Sequence, residues 1–338
     1  MRNGSLVLIA PDSGAPFAER LSTEFNRILR SEGNPSPFAV TPSREITFAN
    51  GEKKIVIEES VRGKDVYIVQ LMDDPHGKAN INDNIMTLAC AINAAWYSDA
   101  ARVTAVIPQY PYSRQDKKKG REPITALIFG RLLEACGCHK IITLDIHSEA
   151  CEGFFQKVQM ENLHAGRSVI KWMQENVKLE NLMVVAPDVG SAKRNQFFAK
   201  AFGKELAIIE KTRDYSRQST ISSMTLVGNV EGRDVFVNDD MIATGGTLLN
   251  ACRLLKDKGA REITISVSLP YFSNQSYQLF DKAFAEGLFD RVVGTDAVYW
   301  GPQFLADHPW YKELSMAPLF AKVMHNMNQD RSVSRLLQ

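Results

Sequence analysis

The sequence predicts an α/β protein with two tandem units, each a mainly parallel sheet flanked by helices, related by internal duplication. Short apolar runs alternate along the chain with longer stretches of helical period, which is the arrangement of a parallel sheet covered by helices. Three sequence blocks also recur in the same order in the two halves. Finally, a length of 338 residues suits two domains better than one.

The recurring blocks are short but occupy corresponding places in the two halves. They are Leu6–Asp12 and Leu182–Asp188, Val61–Val69 and Val230–Asn238, and Ala101–Ile107 and Ala260–Ser266. A single match of this length arises easily by chance. Three matches in the same order indicate that one α/β unit was duplicated.

The first domain is predicted to comprise residues 1–165, joined by a C-terminal helix within 315–338. The apolar face of that helix contains Leu319, Phe320, Val323 and Met324. Strands are expected near 5–10, 65–71, 103–107 and 140–145, and helices near 15–31, 82–99 and 121–136.

The second domain is predicted to comprise residues 166–314. Its strands are expected near 182–186, 206–210, 234–238, 263–267 and 291–294, and its helices near 167–177, 190–203, 246–258 and 274–285. No Pro-, Gly- or Ser-rich linker marks the junction between the two domains.

Composition and charge exclude several classes of function. A formal net charge of +1 provides no global field for nucleic acid or an anionic membrane. No apolar run reaches the roughly 18 residues of a membrane span. The five cysteines are odd in number and scattered, which is typical of a reducing compartment. We therefore expect a cytoplasmic protein with no nucleic-acid or membrane partner, in which local clusters bind any phosphate.

The segment 235–248 carries the most informative chemistry. A predicted buried strand is followed by two adjacent carboxylates, Asp239 and Asp240, and then by Thr244-Gly-Gly-Thr247 at the start of a predicted helix. Glycines let the backbone approach a ligand closely, and the amides that open a helix bind phosphate. Because a carboxylate pair suits vicinal hydroxyls, the segment predicts a sugar-phosphate site.

The segment matches neither of two common nucleotide-binding motifs. It contains no Gly-Lys-Ser/Thr of a P-loop, and its glycines are not spaced as in the dinucleotide-binding fingerprint. An ordinary strand-to-helix turn, with an acid as helix cap, would account for one aspartate. It does not account for two aspartates followed by Thr-Gly-Gly-Thr.

The first unit differs at its own strand ends. The segment Gln70–Gly77 follows the strand that corresponds to 234–238, and it has no Gly-rich phosphate turn. After the strand at 103–107 come aromatic residues, and then five cations within the eight residues from Arg114 to Arg121. This basic loop suits a polyphosphate and a stacked base. The competing interpretation is a solvated run of charge.

Further polar groups stand at other strand ends. Asp145 and His147 follow a strand, and their alternation predicts that both point to one side. Asp188 lies between a strand and a helix, which suits both a helix cap and a metal ligand. Its repeat partner Asp12 is expected to be a cap only.

Two cations stand at one more strand exit. Lys211 and Arg213 have the same orientation by alternation and suit an anionic transition state. The polar residues 212–222 suit a loop that closes over a ligand. A pair of surface charges is the alternative.

Together, these motifs resemble the ribose-phosphate diphosphokinase family, also called phosphoribosyl-diphosphate synthetases. The resemblance extends from about Phe48 to about Leu255. Its most specific parts are Asn82–Asn84, Arg102–Pro108, Tyr112–Lys118, Asp145–His147 and Gly153–Phe155. It implies two phosphoribosyltransferase-like domains. It also implies transfer of the diphosphoryl group of ATP to O1 of ribose 5-phosphate, which gives AMP and 5-phosphoribosyl 1-diphosphate for nucleotide biosynthesis.

The resemblance also implies roles for individual residues. The implied catalytic residues are Lys211, Arg213 and His147, and the implied Mg2+ ligands are His147 and Asp188. The implied ATP-binding residues are Phe48, Asn50, Glu52, Arg114, Gln115 and Asp116. The implied ribose 5-phosphate contacts are Asp239, Asp240, Ala243, Thr244, Gly245, Gly246 and Thr247. In the family, the loop that contains Phe48 reaches a neighbouring subunit, and dimers assemble into hexamers, so a homo-oligomer is implied here.

Two positions depart from the family pattern. Ala243 stands where the family usually has a third acid, and it resembles the loop of adenine phosphoribosyltransferases; Gln156 stands where Asp is common. These departures support an alternative, a catalytically silent subunit that regulates an active synthetase. The presence of Lys211 and Arg213 argues against that alternative. A phosphoribosyltransferase is a further alternative, although such an enzyme needs only one unit.

Overall fold

The computed structural model describes residues 4–34, 36–213 and 221–337, and the side chains of 211–213, 221–223 and 337 lie outside the described part. The chain forms two compact units. The first contains Met1–His164, Asp296–Tyr299 and Ser315–Gln338, and the second contains Ala165–Thr295 and Trp300–Leu314.

The elements are numbered in chain order. The strands are β1 Leu6–Ile9, β2 Ser43–Thr47, β3 Lys53–Ile57, β4 Asp65–Val69, β5 Arg102–Val106, β6 Lys140–Leu144, β7 Gln159–Leu163, β8 Leu182–Ala186, β9 Leu206–Arg213, β10 Ile221–Val227, β11 Asp234–Ile242, β12 Ile263–Pro270, β13 Arg291–Thr295 and β14 Tyr311–Leu314. The α-helices are α1 Ala15–Ser31, α2 Ile81–Tyr97, α3 Thr125–Ala135, α4 Gly166–Asn176, α5 Ala192–Phe202, α6 Gly246–Asp257, α7 Tyr277–Ala285, α8 Gly301–Asp307, α9 Ala317–Asn328 and α10 Ser334–Leu337.

The first unit is built on a parallel sheet with the order β1-β4-β5-β6-β7. Its central strands β4 and β5 are buried along almost their whole length because parallel strands are covered on both faces. The strands β2 and β3 form a separate antiparallel hairpin that packs against α2. The helix α9 packs on α1, where the rings of Phe17 and Phe320 meet edge to face at 5.3 Å. The C-terminal helix is therefore part of the core of the first unit.

The second unit has a seven-stranded sheet with the order β10-β9-β8-β11-β12-β13-β14. Its strand pairs are parallel except for β9 and β10, which are antiparallel. A cluster of aromatic side chains fills the space around β12, α7, α8 and β14. Its members include Phe272, Phe280, Phe289, Trp300, Phe304, Trp310 and Tyr311.

The structure confirms the α/β class and each strand and helix that the periodicity predicts. Sequence analysis missed β2, β3, β7, β10, α8, β14 and the short helix α10. The missed strands alternate poorly or are polar, as in the sequence Gln-Met-Glu-Asn-Leu of β7. The predicted strand at 234–238 is also longer, because β12 continues to pair with β11 beyond the end of β8.

The duplication is visible in atomic detail where the repeated strands begin. Arg102 donates two hydrogen bonds to Asp65, at 2.8 and 2.6 Å, and Arg261 donates the corresponding two to Asp234, at 2.9 and 2.8 Å. Each aspartate opens a strand and each arginine stands at the start of the neighbouring one. The two copies therefore share a two-pronged ion pair at the amino end of the sheet.

Candidate functional site

The acid pair of the second unit lies on a strand and not in the turn that follows. Asp239 and Asp240 are part of β11, with Asp239 opposite Val267 of β12. The Asp239 carboxylate accepts the amide of Asp240 at 2.9 Å, and the Asp240 carboxylate accepts the amide of Met241 at 2.9 Å. These bonds fix one oxygen of each carboxylate at the carboxyl end of the sheet, where open α/β sheets bind ligands.

The Thr-Gly-Gly-Thr turn requires glycine for a steric reason. Gly245 has a φ of +72°, and a Cβ there would collide with the ring of Phe280. Gly246 opens α6, and a Cβ there would meet no atom within 4 Å. Thr244 and Thr247 are exposed beside them. The turn therefore presents open space at the amino end of a helix, where backbone amides and the helix dipole attract phosphate.

Two hydrogen bonds fix the backbone of Ala243, the residue before the turn. The carbonyl of Ala243 accepts the amide of Ser273 at 2.9 Å and the hydroxyl of Ser276 at 3.0 Å. These bonds use the backbone of Ala243, which any residue supplies. The alanine at this position is therefore compatible with the turn.

A helix of the same unit brings a cation to the acid pair. The Arg194 Nη1 atom on α5 lies 3.7 Å from Asp240 Oδ1 and 4.0 Å from Asp239 Oδ1. Burial, together with the negative charges of Asp240 and Asp188, raises the pKa of Asp239 to about 7. The acid pair therefore sits in a partly buried, crowded anionic site with one arginine beside it.

Asp188 begins the turn into α5. Its Oδ1 atom accepts the amide of Ser191 at 2.8 Å, and the Ser191 hydroxyl returns a bond to the Asp188 carbonyl at 2.9 Å. These bonds hold the turn before α5, but no side-chain hydrogen bond caps α5 itself, so the expectation that Asp188 is a helix cap was wrong. Likewise, no side-chain hydrogen bond caps the 3-10 turn Asp12–Gly14 or α1. The interpretation of Asp12 as a helix cap was also wrong.

The corresponding place in the first unit is closed by its own side chains. Gln70, the residue after β4, is fully buried and donates to the hydroxyl of Ser13, which donates to the carbonyl of Leu71 at 2.7 Å. A Cβ on Gly14 would collide with the carbonyl of Val69. In the first unit, the backbone at Gly14 therefore packs against the end of β4, at the position that corresponds to the acid pair of the second unit.

The basic loop of the first unit lies beside the Asp-x-His turn. Arg114 and Gln115 are exposed. A hydrogen bond from the hydroxyl of Ser148 lowers the pKa of Asp116, and the charge of His147 lowers this pKa further. Asp116 and His147 are therefore neighbours. Tyr110 is not available to stack on a base, because it is buried and its hydroxyl donates to the carbonyl of Ala126 at 3.0 Å.

The Asp-x-His turn has an unusual backbone. The strand β6 ends at Leu144, and Asp145 has a φ of +39°, so the expected alternation of Asp145 and His147 along a strand does not apply. Asp145 pairs with His164 at 2.9 Å, and this hydrogen bond raises the pKa of His164. The turn is therefore held by an ion pair that the sequence did not indicate.

The tip of the β2–β3 hairpin forms a cavity with α2. The cavity has a volume of about 500 Å³ and contains Phe48, Asn50, Gly51, Glu52, Lys53, Asp83 and Met86 in its lining. Phe48 and Met86 are 47% and 49% exposed, so two large apolar side chains stand open to a ligand. Asn80 and Asp83 form a capping box that fixes the first turn of α2 beneath the hairpin.

The remaining predicted residues are placed less completely. Lys211 and Arg213 lie on β9, with backbone pairing to β10, but their side chains are outside the described residues. Residues 214–220, most of the expected closing loop, also fall outside them. His147 lies in the first unit and Asp188 in the second.

Three residues of α5 and its entry contribute to the site but were not predicted. Ser191, Arg194 and Asn195 lie on one helical face by their spacing of three and four residues. Asn195 accepts the amide of Asn238 at 3.1 Å and donates to its carbonyl at 2.9 Å. The helical spacing of these three residues was visible in the sequence. Their closeness to the acid pair was not, because only the fold shows that α5 lies beside β11.

Searches of known proteins identify relatives along nearly the whole chain. Residues 8–137 match the N-terminal domain of ribose phosphate pyrophosphokinase, and residues 159–304 match the phosphoribosyl transferase domain. A ribose-phosphate pyrophosphokinase of Wolinella succinogenes is 37% identical over 86% of this chain and 88% of its own. Ribose-phosphate pyrophosphokinase 2 of Saccharomyces cerevisiae is 34% identical over 99% of this chain and 98% of its own.

A solved structure has the same fold. The phosphoribosylpyrophosphate synthetase of Mycobacterium smegmatis superposes with a TM-score of 0.83 and 31% identity, covering 96% of this chain and 99% of that one. Among the described residues, no helix has both the length and the apolar character that crossing a membrane requires.

Proposed function

This chain belongs to the ribose-phosphate pyrophosphokinase family, and we propose that it transfers the diphosphoryl group of ATP to O1 of ribose 5-phosphate through the residues described above. The chain is an enzyme of the transferase class. The products are 5-phosphoribosyl 1-diphosphate and AMP. The unpaired cysteines support a cytoplasmic location.

The ribose 5-phosphate site carries the proposal. Asp239 and Asp240 offer carboxylate oxygens for ribose hydroxyls, and the open amino end of α6 at Gly246 and Thr247 takes the 5-phosphate. Thr244 and Thr247 supply further hydroxyl donors, while Gly245 gives the turn its shape. An acid pair adjoining a phosphate-binding turn suits one ligand that has both vicinal hydroxyls and a phosphate.

ATP is assigned to the first unit. Arg114 and Gln115 are exposed on the basic loop and would contact the phosphates of ATP, and Asp116 adjoins His147. Phe48, Asn50 and Glu52 surround the hairpin cavity and would contact the adenine. By the resemblance, that contact crosses to a neighbouring subunit of a homo-oligomer built from dimers.

Charge neutralisation is the main catalytic requirement, because a polyanionic donor must meet a neutral hydroxyl. Lys211 and Arg213 would stabilise the charge on the transferring group. His147 and Asp188 would hold Mg2+, which neutralises and orients the phosphates when it is bound. Mg2+ commonly takes one or two carboxylates and completes its coordination with water and substrate phosphates. The Asp188 carboxylate, whose Oδ1 atom accepts the amide of Ser191, is an oxygen ligand of the type that such a metal takes.

The test incubates the purified protein with Mg-ATP and ribose 5-phosphate and measures AMP and 5-phosphoribosyl 1-diphosphate. We expect both products in equal amounts, dependent on both substrates and on Mg2+. Lys211→Ala should lower turnover by about two orders of magnitude or more, the scale of a lost electrostatic donor. Near-normal turnover of this variant would refute the role of Lys211.

The same experiment separates the alternatives. A folded protein that binds ATP but forms no AMP would be a silent regulatory subunit, as the departures at Ala243 and Gln156 would allow. Consumption of 5-phosphoribosyl 1-diphosphate with a purine base would identify a phosphoribosyltransferase instead.

A further inference from the structure

We propose that Arg194 is a positioning residue for the sugar substrate, which acts by holding the Asp239–Asp240 pair in the arrangement that accepts ribose hydroxyls. The inference deepens the ribose 5-phosphate site and rests on the function proposed above. It starts from the position of the guanidinium, whose Nη1 atom lies 3.7 Å from Asp240 and 4.0 Å from Asp239.

These distances favour an electrostatic role. Both exceed hydrogen-bond length, so Arg194 attracts the two carboxylates without a direct hydrogen bond between these atoms. Two adjacent carboxylates that are partly buried repel each other. A cation at this distance offsets part of that repulsion and attracts both carboxylates towards α5, which restricts the positions that their oxygens take towards ligand hydroxyls.

The helix that carries Arg194 is fastened to the acid pair. The next residue, Asn195, is fully buried and makes two reciprocal hydrogen bonds with the backbone of Asn238, which immediately precedes Asp239. Its amide also donates to the Ser191 carbonyl at 3.0 Å. Asn195, which follows Arg194 on α5, is therefore bonded to Asn238, which precedes the acid pair on β11. This connection fixes the position of the Arg194 backbone relative to the two carboxylates.

A matched control lies on the same helix. Lys193 is exposed and carries the same charge as Arg194, whose side chain is 34% exposed. Lys193→Gln removes one positive charge from α5, as Arg194→Gln does. A general effect of helix charge would appear in both variants. An effect through the acid pair would appear in Arg194→Gln alone.

The test measures binding of ribose 5-phosphate, 2-deoxyribose 5-phosphate and inorganic phosphate to the full chain by calorimetry. The protein should prefer ribose 5-phosphate to its 2-deoxy analogue, and Arg194→Gln should reduce that preference roughly tenfold, which is the effect of about 1.4 kcal/mol. Phosphate affinity should be unchanged. Lys193→Gln should retain the preference, and Arg194→Lys should restore part of it.

Equal weakening of all three ligands in Arg194→Gln would show a merely structural role and overturn the proposal. Retention of the full preference would also overturn it. If Arg194→Gln does not fold, Arg194→Met removes the same charge, and an unchanged ratio in Arg194→Met refutes the inference. The binding assay is independent of the AMP assay, so a protein that discriminates the sugars but makes no AMP would refute the proposed function alone.

Discussion

The two adjacent glycines of the phosphate turn should respond in opposite ways to the same added methyl group. In Gly245→Ala, the backbone must hold an alanine at a φ of +72°, which costs about 1–2 kcal/mol. The new Cβ also collides with the ring of Phe280, 2.7 Å from Cζ. Overpacking of this kind costs about 1–3 kcal/mol.

The ring of Phe280 cannot easily make room. It is fully buried and packs against Phe272 at 5.1 Å, Trp310 at 5.6 Å and Phe289 at 5.7 Å between ring centroids. The two penalties therefore add to about 2–5 kcal/mol, a large part of the stability of a typical domain. We expect Gly245→Ala to lower the free energy of unfolding by this amount.

Gly246→Ala is the control. Its Cβ would enter open space, so the free energy of unfolding should be unchanged or slightly higher, because alanine is the better helix former. The methyl group would instead stand where the phosphate is expected, and the KM for ribose 5-phosphate should rise at least about tenfold. Urea unfolding and steady-state kinetics measure the two effects. Gly245→Ala with unchanged stability, or Gly246→Ala with unchanged KM, would refute the steric argument for the turn.

Three further predictions follow from other parts of the fold. Asp65→Ala leaves the half-buried Arg102 without its carboxylate partner and should lower the free energy of unfolding, measured by chemical denaturation, by about 3–5 kcal/mol. Asp234→Ala should lower it less, because Arg261 is more exposed than Arg102. Equal losses in the two variants would contradict the argument from burial. Because Asp145 raises the pKa of His164, this pair stabilises the protein fully below the ordinary histidine value of about 6.5 and less as pH rises through the raised pKa. The fall in unfolding free energy over that window should shrink in His164→Gln, and an identical pH profile would exclude the pair. Phe48→Ala should raise the KM for ATP several-fold but not that for ribose 5-phosphate, while the neighbouring Lys54→Ala should change neither.

The periodic parts of the fold were predictable because their physical signal is local. Continuous apolar runs such as β4 and β8 identify buried parallel strands, and the predicted helices agree with the observed ones at most ends to within a few residues. The hairpin β2–β3 was missed because its residues are half exposed and do not alternate regularly. The edge strand β14 is only four residues long and mostly polar. Such strands are defined by the neighbour with which they pair.

The candidate site was predictable only where neighbouring residues in the sequence determine the local backbone geometry. The turn at Gly245 is such a motif, since left-handed backbone and close packing both demand glycine there. The role of Arg194 was hidden because it depends on which helix borders β11. Tyr110 belongs to the aromatic residues that were expected near a base, but it is buried and its ring packs on Phe129 at 5.0 Å between centroids. Neither contact is local in the chain.

Comparison of the two copies shows which part of the duplicated unit is structural and which part is free to change. At the amino end of the sheets, Gly63 and Gly232 have φ values of +66° and +67°, and the neighbouring two-pronged ion pairs are alike. At the carboxyl end, Gln70 fills the first copy, whereas the corresponding residue Asp239 faces Arg194 in the second. The two copies therefore share the interactions at the amino ends of their sheets and differ at the carboxyl ends, where the proposed sugar-phosphate site of the second unit lies.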